Sequence, residues 1–215
     1  MVTPSSTEIV LHFETLPRAT KKALDFLASQ KWLKESSWYL AGGTALALQA
    51  GQRRSVDLDF FSPQKKIVNE DLLQEFFGMP EWELSLNKKN TIYGELFKAK
   101  VSFIAYPFFI PEFEPIDYGS VRILDARDVA VMKVIAVSQR GRKRDFFDLY
   151  WCAHHGELLI QIIQRLKKQY PKIAHDYHHI LKSLIYFEDA ESDPNPEIYF
   201  KASWKEVKAF FRKEI

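Results

Sequence analysis

Hydrophobic and polar positions change their rhythm near residue 124. Up to that point short apolar runs alternate with turns, and beyond it apolar residues recur at helical spacing. Leu24, Leu27 and Ala28 share one face of an amphipathic helix expected over 18–33. The run Trp38 to Ala41 reads as a strand and ends at Gly42-Gly43. Thr44 to Ala50 is rich in helix formers and stops at Gly51, a fitting C-terminal residue. Val56 to Phe61 alternates apolar and acidic residues, the period of a strand with two unlike faces. A further helix is expected over 69–78, then strands at Trp82–Leu86, Thr91–Phe97 and Lys100–Tyr106. Residues 107–120 contain Pro107, Pro111 and Pro115 and read as loop, with a short strand at Val121–Leu124. Asp125 and Asp128 mark the start of a helix running to Gln139, and Gly141 interrupts it. Helices follow over 143–155, 157–169 and 174–188, and Ser203-Trp-Lys-Glu206 forms a capping box for the last one. The order predicts an α+β fold: a mixed β-sheet with flanking helices in 1–124, then a helical part in 125–215.

Composition narrows the class. With 47% apolar and 27% charged residues the 215-residue chain has the profile of a soluble globular protein. Its 17 Phe, 9 Tyr and 5 Trp must largely fill the core. Cys152 is the single cysteine, so neither an intrachain disulfide nor a cysteine-based zinc site can form. The first residues lack the basic and apolar pattern of a signal peptide. The longest uncharged apolar stretch, Val101 to Pro111, is about half the ~20 residues a spanning helix needs. The expectation is a cytoplasmic protein with no membrane partner. A net charge of +2 is too small to specify a partner by itself.

The stretch 40-LAGGTALALQAGQRRSVDLDFFS-62 carries the candidate chemistry. On a strand, Asp57 and Asp59 point to the same side, and two adjacent carboxylates repel unless a cation bridges them. Mg²⁺, with Mn²⁺ as the alternative ion, suits one or two carboxylates completed by substrate phosphates. Gly42, Gly43 and Thr44 open a helix, where a glycine lets backbone amides approach an anion closely. Each half alone is common on exposed strands and turns. The two in this order, with thirteen residues between Gly43 and Asp57, can hold a nucleoside triphosphate (NTP) and its metal.

This pattern resembles the signature of the DNA polymerase β-type nucleotidyltransferase fold. More closely, GGTALALQAGQRRSVDLDFF is similar to the first motif of the AbiEii/AbiGii-like abortive-infection toxins of prokaryotes. A second stretch, 128-DVAVMKVIAVSQRGRKRDFFDLYW-151, is similar to that family's later motif. The resemblance implies a nucleotidyltransferase-like sheet with an active-site cleft completed by the helical part. It implies that Gly42, Gly43, Thr44, Arg54, Ser55, Lys133 and Arg140 bind the nucleotide. It further implies that Asp57 and Asp59 bind Mg²⁺ and that Lys133, Asp145 and Asp148 assist catalysis. The chain departs from the wider fold at one point. Where a later strand supplies a third carboxylate, Ser102 stands in Lys100-Val-Ser-Phe-Ile, and Glu95 lies on the neighbouring stretch.

Spacing on the later motif adds detail. Lys133 and Arg140 share a helix face, and Arg144 and Asp148 are four apart and can pair. Arg140, Arg142, Lys143 and Arg144, with Arg53 and Arg54, would form a basic surface that attracts RNA phosphates. The resulting expectation is a metal-dependent transfer of a nucleoside monophosphate from an NTP to RNA such as tRNA, or to protein. By resemblance the enzyme would be a toxin restrained by an antitoxin protein. Two alternatives stay open: an antibiotic-type transferase acting on a small molecule, and a degenerate nucleotide-binding module, for which Ser102 speaks.

Overall fold

The computed structural model describes residues 10–215; the leader reading above falls largely on residues outside this range. After a 3₁₀ turn at Phe13–Thr15 come α1 (Arg18–Ala28), α2 (Lys31–Glu35), β1 (Tyr39–Ala41), α3 (Gly42–Ala50) and β2 (Leu58–Ser62). Next are α4 (Asn69–Gln74), β3 (Trp82–Lys88), β4 (Thr91–Leu96), β5 (Ala99–Ala105), β6 (Ile116–Tyr118) and β7 (Val121–Ile123). The helical part comprises α5 (Ala126–Arg140), α6 (Lys143–His155), α7 (Leu159–Gln164), α8 (Leu166–Gln169), α9 (Tyr177–Leu184), α10 (Glu188–Glu191) and α11 (Trp204–Glu214).

The strands form one mixed seven-stranded sheet in the order β3-β4-β5-β2-β1-β7-β6. β2 runs antiparallel to β1 and parallel to β5. Its alternation works as the sequence implies. Leu58 and Phe60 are buried in the aromatic layer, where Phe60 stacks on Phe103 at 5.1 Å, and Asp59 and Phe61 face the other way into a cleft. Gln49 ties α3 to the helical part: its Nε2 donates to the Leu124 carbonyl and its Oε1 accepts from Ala126 N–H, both at 2.8 Å. Buried apolar residues from both parts form a single cluster, from Leu24 and Leu40 to Phe146 and Phe211. Among the described residues no helix is long and apolar enough to cross a membrane.

Several elements differ from expectation. The helix expected over 18–33 breaks at Ser29-Gln30, because both side chains take the Phe26 carbonyl and compete with the helical ladder. The helix expected over 69–78 stops at Gln74, short of Gly78 with φ +75°. The proline-rich stretch 107–120 is not all loop, since β6 pairs with β7 at its end. Its middle is pinned by Asp128, which accepts hydrogen bonds from the backbone N–H of Glu112 and Phe113. The helix expected over 157–169 divides at Arg165 as its side chain reaches Glu157 and the Arg127 carbonyl. That over 174–188 begins at Tyr177, where Asp176 caps it by accepting from His179 N–H at 2.9 Å. The Ser203–Glu206 capping box opens α11 as read.

Candidate active site

A cleft of about 350 Å³ opens between the sheet and α5. Gly42, Gly43, Arg53, Ser55, Asp57 and Asp59 line its β1–β2 side. Lys133 and Arg140 of α5 and Arg144 of α6 line the other. Phe61, Tyr93, Ile104, Tyr106 and Met132 make the apolar remainder.

The glycine pair has a packing role visible only in three dimensions. Gly42 adopts φ +68°, and a Cβ there would lie 3.1 Å from Asp59 Oδ2. A Cβ on Gly43 would lie 2.3 Å from Arg53 Nη2, closer than any real contact. The two glycines thus let a carboxylate and a guanidinium close onto the start of α3. Thr44 is buried below them. Its hydroxyl donates to the Asp57 carbonyl and shares a hydrogen bond with Ser55 Oγ at 2.9 Å, so it shapes the 55–57 segment and does not line the cleft.

A buried ionic network backs the cleft. Asp148 receives Arg53 in a two-pronged pair, Nε to Oδ1 at 2.6 Å and Nη2 to Oδ2 at 2.9 Å. Lys133 Nζ lies 2.6 Å from both Asp145 and Asp148. Arg140 reaches Asp145 at 3.2 Å. Burial alone would raise the carboxyls of Asp145 and Asp148. The adjoining cations, Lys133 and Arg140 for Asp145 and Arg53 and Lys133 for Asp148, more than offset it and hold both below the ordinary carboxylate range.

Asp57 and Asp59 lack such compensation. The nearest cation to Asp57 is Arg144, at 3.6 Å. Asp59 accepts one hydrogen bond, from Ser102 Oγ at 2.7 Å. Burial raises the Asp59 carboxyl above its ordinary value and Asp57 adds to this, against the effect of Ser102. Two adjacent, under-compensated carboxylates opening into a cleft fit a divalent cation. Among the described residues no group of three or more His, Cys, Asp or Glu is arranged to hold a metal. Substrate oxygens would have to complete the shell.

The expected residues divide accordingly. Gly42, Gly43, Ser55, Asp57, Asp59, Lys133 and Arg140 meet in the cleft; Thr44, Arg54, Asp145 and Asp148 do not line it. Arg54 turns outward to Glu197 at 3.3 Å, and Arg53 takes the inward place. Adjacent residues of an extended segment point opposite ways, so a doubled arginine leaves the choice to the tertiary structure. Arg144 pairs with Asp57 and not with Asp148, because Asp148 is already enclosed by Arg53 and Lys133. The basic run also separates: Arg142 binds Asp193 at 2.7 Å, and buried Lys143 donates to the carbonyls of Glu191 and Asp193. The parallel register sets Ser102 beside Asp59, the place expected for a third carboxylate. Sequence reasoning passed over Tyr93 and Tyr106; a tyrosine on the site-facing side of β4 and another that continues the alternation of β5 one residue past its end were the available signal.

Comparison with known proteins fits this geometry. Residues 25–213 match the family described as Nucleotidyl transferase AbiEii toxin, Type IV TA system. An uncharacterized protein of Aquifex aeolicus is 35% identical over 184 residues, covering 84% of this chain and 87% of that one. The nucleotidyltransferase toxin MenT4 of Mycobacterium tuberculosis superposes with TM-score 0.52 at 15% identity, over 92% of this chain and 84% of its own. A proposed nucleotidyltransferase of H. pylori gives TM-score 0.50 at 20% identity, over 90% and 94%. At these identities the two structures speak for the fold alone.

Proposed function

The chain belongs to the AbiEii nucleotidyltransferase toxin family, and from that premise we propose that it moves a nucleoside monophosphate from an NTP to an acceptor hydroxyl carried by RNA or protein. The observation that carries this reading is the pair Asp57–Asp59, offset only by half-exposed Arg144 at 3.6 Å from Asp57, in a cleft that Arg53, Lys133 and Arg140 also line.

In this reading the triphosphate lies along Gly42, Gly43, Ser55 and Arg53, with Arg140 and Arg144 at the far side. Arg53 presents a fixed guanidinium, because Asp148 holds its other edge. Lys133 is a positioning residue that joins Asp145 to Asp148 and keeps α5 against α6. Asp57 and Asp59 would hold a divalent cation such as Mg²⁺, which when bound neutralises charge on the phosphates. The acceptor oxygen bonds to the α-phosphorus, the bond to the β-phosphate oxygen breaks, pyrophosphate leaves, and the hydroxyl proton passes to solvent. The α/β part, 1–124, supplies the carboxylates and the glycine turn, and the helical part, 125–215, closes the cleft with cations. The physiological role follows the family: a cytoplasmic toxin held in check by an antitoxin.

The test is transfer of label from each common ribonucleoside triphosphate, radiolabelled at the α-phosphate, to total RNA and to protein in the presence of Mg²⁺. Label on one acceptor class, absent with the Asp57→Ala/Asp59→Ala double variant, is the expected result. NTP binding that the double variant retains unchanged, with no transfer by the parent, would overturn it.

A further inference from the structure

The cations that line the cleft are held in different ways. Buried Arg53 and Lys133 are locked onto Asp148 and Asp145. Arg140 hydrogen-bonds Asp145 through Nε at 3.2 Å. Arg144 belongs to none of these pairs. Its one ionic partner among the described residues is Asp57, Nη1 to Oδ2 at 3.6 Å, a span longer than a hydrogen bond. Its side chain is half-exposed. It stands in the first turn of α6, where the helix dipole disfavours a cation, so its own helix does not hold the charge in place. The two carboxylates are unequal as well. Asp59 is anchored: it accepts from Ser102 Oγ at 2.7 Å and packs against Gly42. The sheet register sets Ser102 between Tyr93 and Asp59. Among the described residues the Asp57 carboxyl accepts no hydrogen bond, and Arg144 alone pairs with it.

Resting on the transferase reading, we propose that Arg144 is an exchangeable counter-ion: it holds Asp57 until a divalent cation takes that carboxylate, and it then turns to the triphosphate. The pair with Asp57 suits exchange, since it is long, exposed and not hydrogen-bonded, and such pairs are weak. Arg144 loses little by leaving it. A guanidinium released beside a triphosphate finds several acceptor oxygens and makes charge-assisted hydrogen bonds that Asp57 does not give it here. Only side-chain rotation is needed, because Asp193 fixes the start of α6 by accepting from Lys143 N–H at 3.0 Å. Arg53, Lys133 and Arg140 are unsuited to the task, because each already serves Asp145 or Asp148. The consequence is a linkage. Triphosphate that draws Arg144 away uncovers Asp57 for the cation, and by reciprocity the cation strengthens triphosphate binding by the same factor. Arg144 thereby opposes the cation in the free protein and supports the nucleotide once the cation is present.

The experiment titrates the full chain with Mn²⁺, followed by its electron paramagnetic resonance signal, first alone and then with a non-hydrolysable NTP. Calorimetry reads NTP binding at saturating Mn²⁺. Arg144→Ala is expected to bind Mn²⁺ alone about threefold more tightly, the size of an exposed ion pair removed. The same variant should bind the NTP about tenfold more weakly, the loss of a charge-assisted hydrogen bond. Arg144→Gln should follow Arg144→Ala in both. Arg140→Ala should weaken the NTP and bind Mn²⁺ alone as the parent does. The factor by which the NTP tightens Mn²⁺ should shrink in Arg144→Ala. Mn²⁺ affinity unchanged or lowered in Arg144→Ala overturns the exchange, while NTP binding by the parent leaves the transferase reading standing. An equal gain in Mn²⁺ affinity from Arg140→Ala also overturns it, in favour of a diffuse field of positive charge. A gain in Mn²⁺ affinity with NTP binding untouched removes the turn toward the triphosphate. A parent that binds neither Mn²⁺ nor the NTP sinks the transferase reading and this proposal with it.

Discussion

Three aspartates in and behind the cleft, Asp59, Asp145 and Asp148, fall into two groups that electrostatics treats oppositely. Asp145 and Asp148 are buried and gain from ionisation. Asp59 is half-buried and loses by it, because its surroundings raise its pKa. A raised carboxyl favours the folded state at low pH, and that advantage is lost as pH rises through the folded-state pKa. At neutral pH without metal, Asp59 is therefore a liability. Asp59→Asn should raise the melting temperature in chelator by a few degrees while lowering transfer by about a hundredfold or more, which paired melting and activity assays would read. The network behaves the other way. Asp148→Ala leaves Arg53 and Lys133 buried without their shared counter-ion and should cost about 3–5 kcal/mol in urea unfolding. The depressed carboxyls contribute stability above the ordinary aspartate range, near pH ~3.9, and lose it as pH falls toward their folded values. Between about pH 5 and about pH 3 the parent should lose more of its urea midpoint than Asp148→Asn does.

At the scale of elements, the C-terminal segment does work its composition does not advertise. Residues 193–199 form a strap between the two walls of the cleft. Arg54 N–H donates to the Glu197 carbonyl at 2.9 Å, and Tyr199 N–H donates to the Gln52 carbonyl at 2.8 Å. Arg53 and Ile198 bridge as antiparallel neighbours. At its other end Asp193 binds Arg142 and accepts from Lys143 N–H at 3.0 Å. The residue at the N-cap of α6, Arg142, makes no capping hydrogen bond, so Asp193 caps the helix from a distance. Asp193→Ala should cost about 1 kcal/mol by denaturant midpoint and loosen the turn that carries Arg140 and Arg144. A higher KM for the NTP, with kcat less changed, is the kinetic signature to measure. The helices themselves were largely legible. The limits Lys143–His155 and Ala126–Arg140 follow from Gly141 and from apolar spacing, since a left-handed glycine ends the ladder locally. The breaks at Ser29 and Arg165 were not legible, because they depend on which carbonyl a side chain finds.

Across the whole molecule, the sheet and the helices unfold as one body if their shared core governs stability. Trp32, Trp38 and Trp82 report on the sheet part and Trp151 and Trp204 on the helical part. Tryptophan fluorescence and far-UV circular dichroism should give coincident urea transitions; separated transitions would mean two folding units. The sequence by itself determined the α+β order, the alternation that turns Asp59 away from Leu58 and Phe60, and the glycine turn ahead of the carboxylates. These depend on local backbone geometry, with periods of 2 and 3.6, and on conformations that glycine alone adopts freely. Only the tertiary structure decided that Arg53 and not Arg54 enters the cleft. It alone gave Asp148 to Arg53 and Lys133, turned Arg142 and Lys143 toward the C-terminal strap, and set Tyr93, Ser102 and Asp59 in one row. The reason is physical: a charge takes the counter-charge that folding brings nearest in a dry interior, and residues 95 positions apart in sequence can be 2.6 Å apart in space.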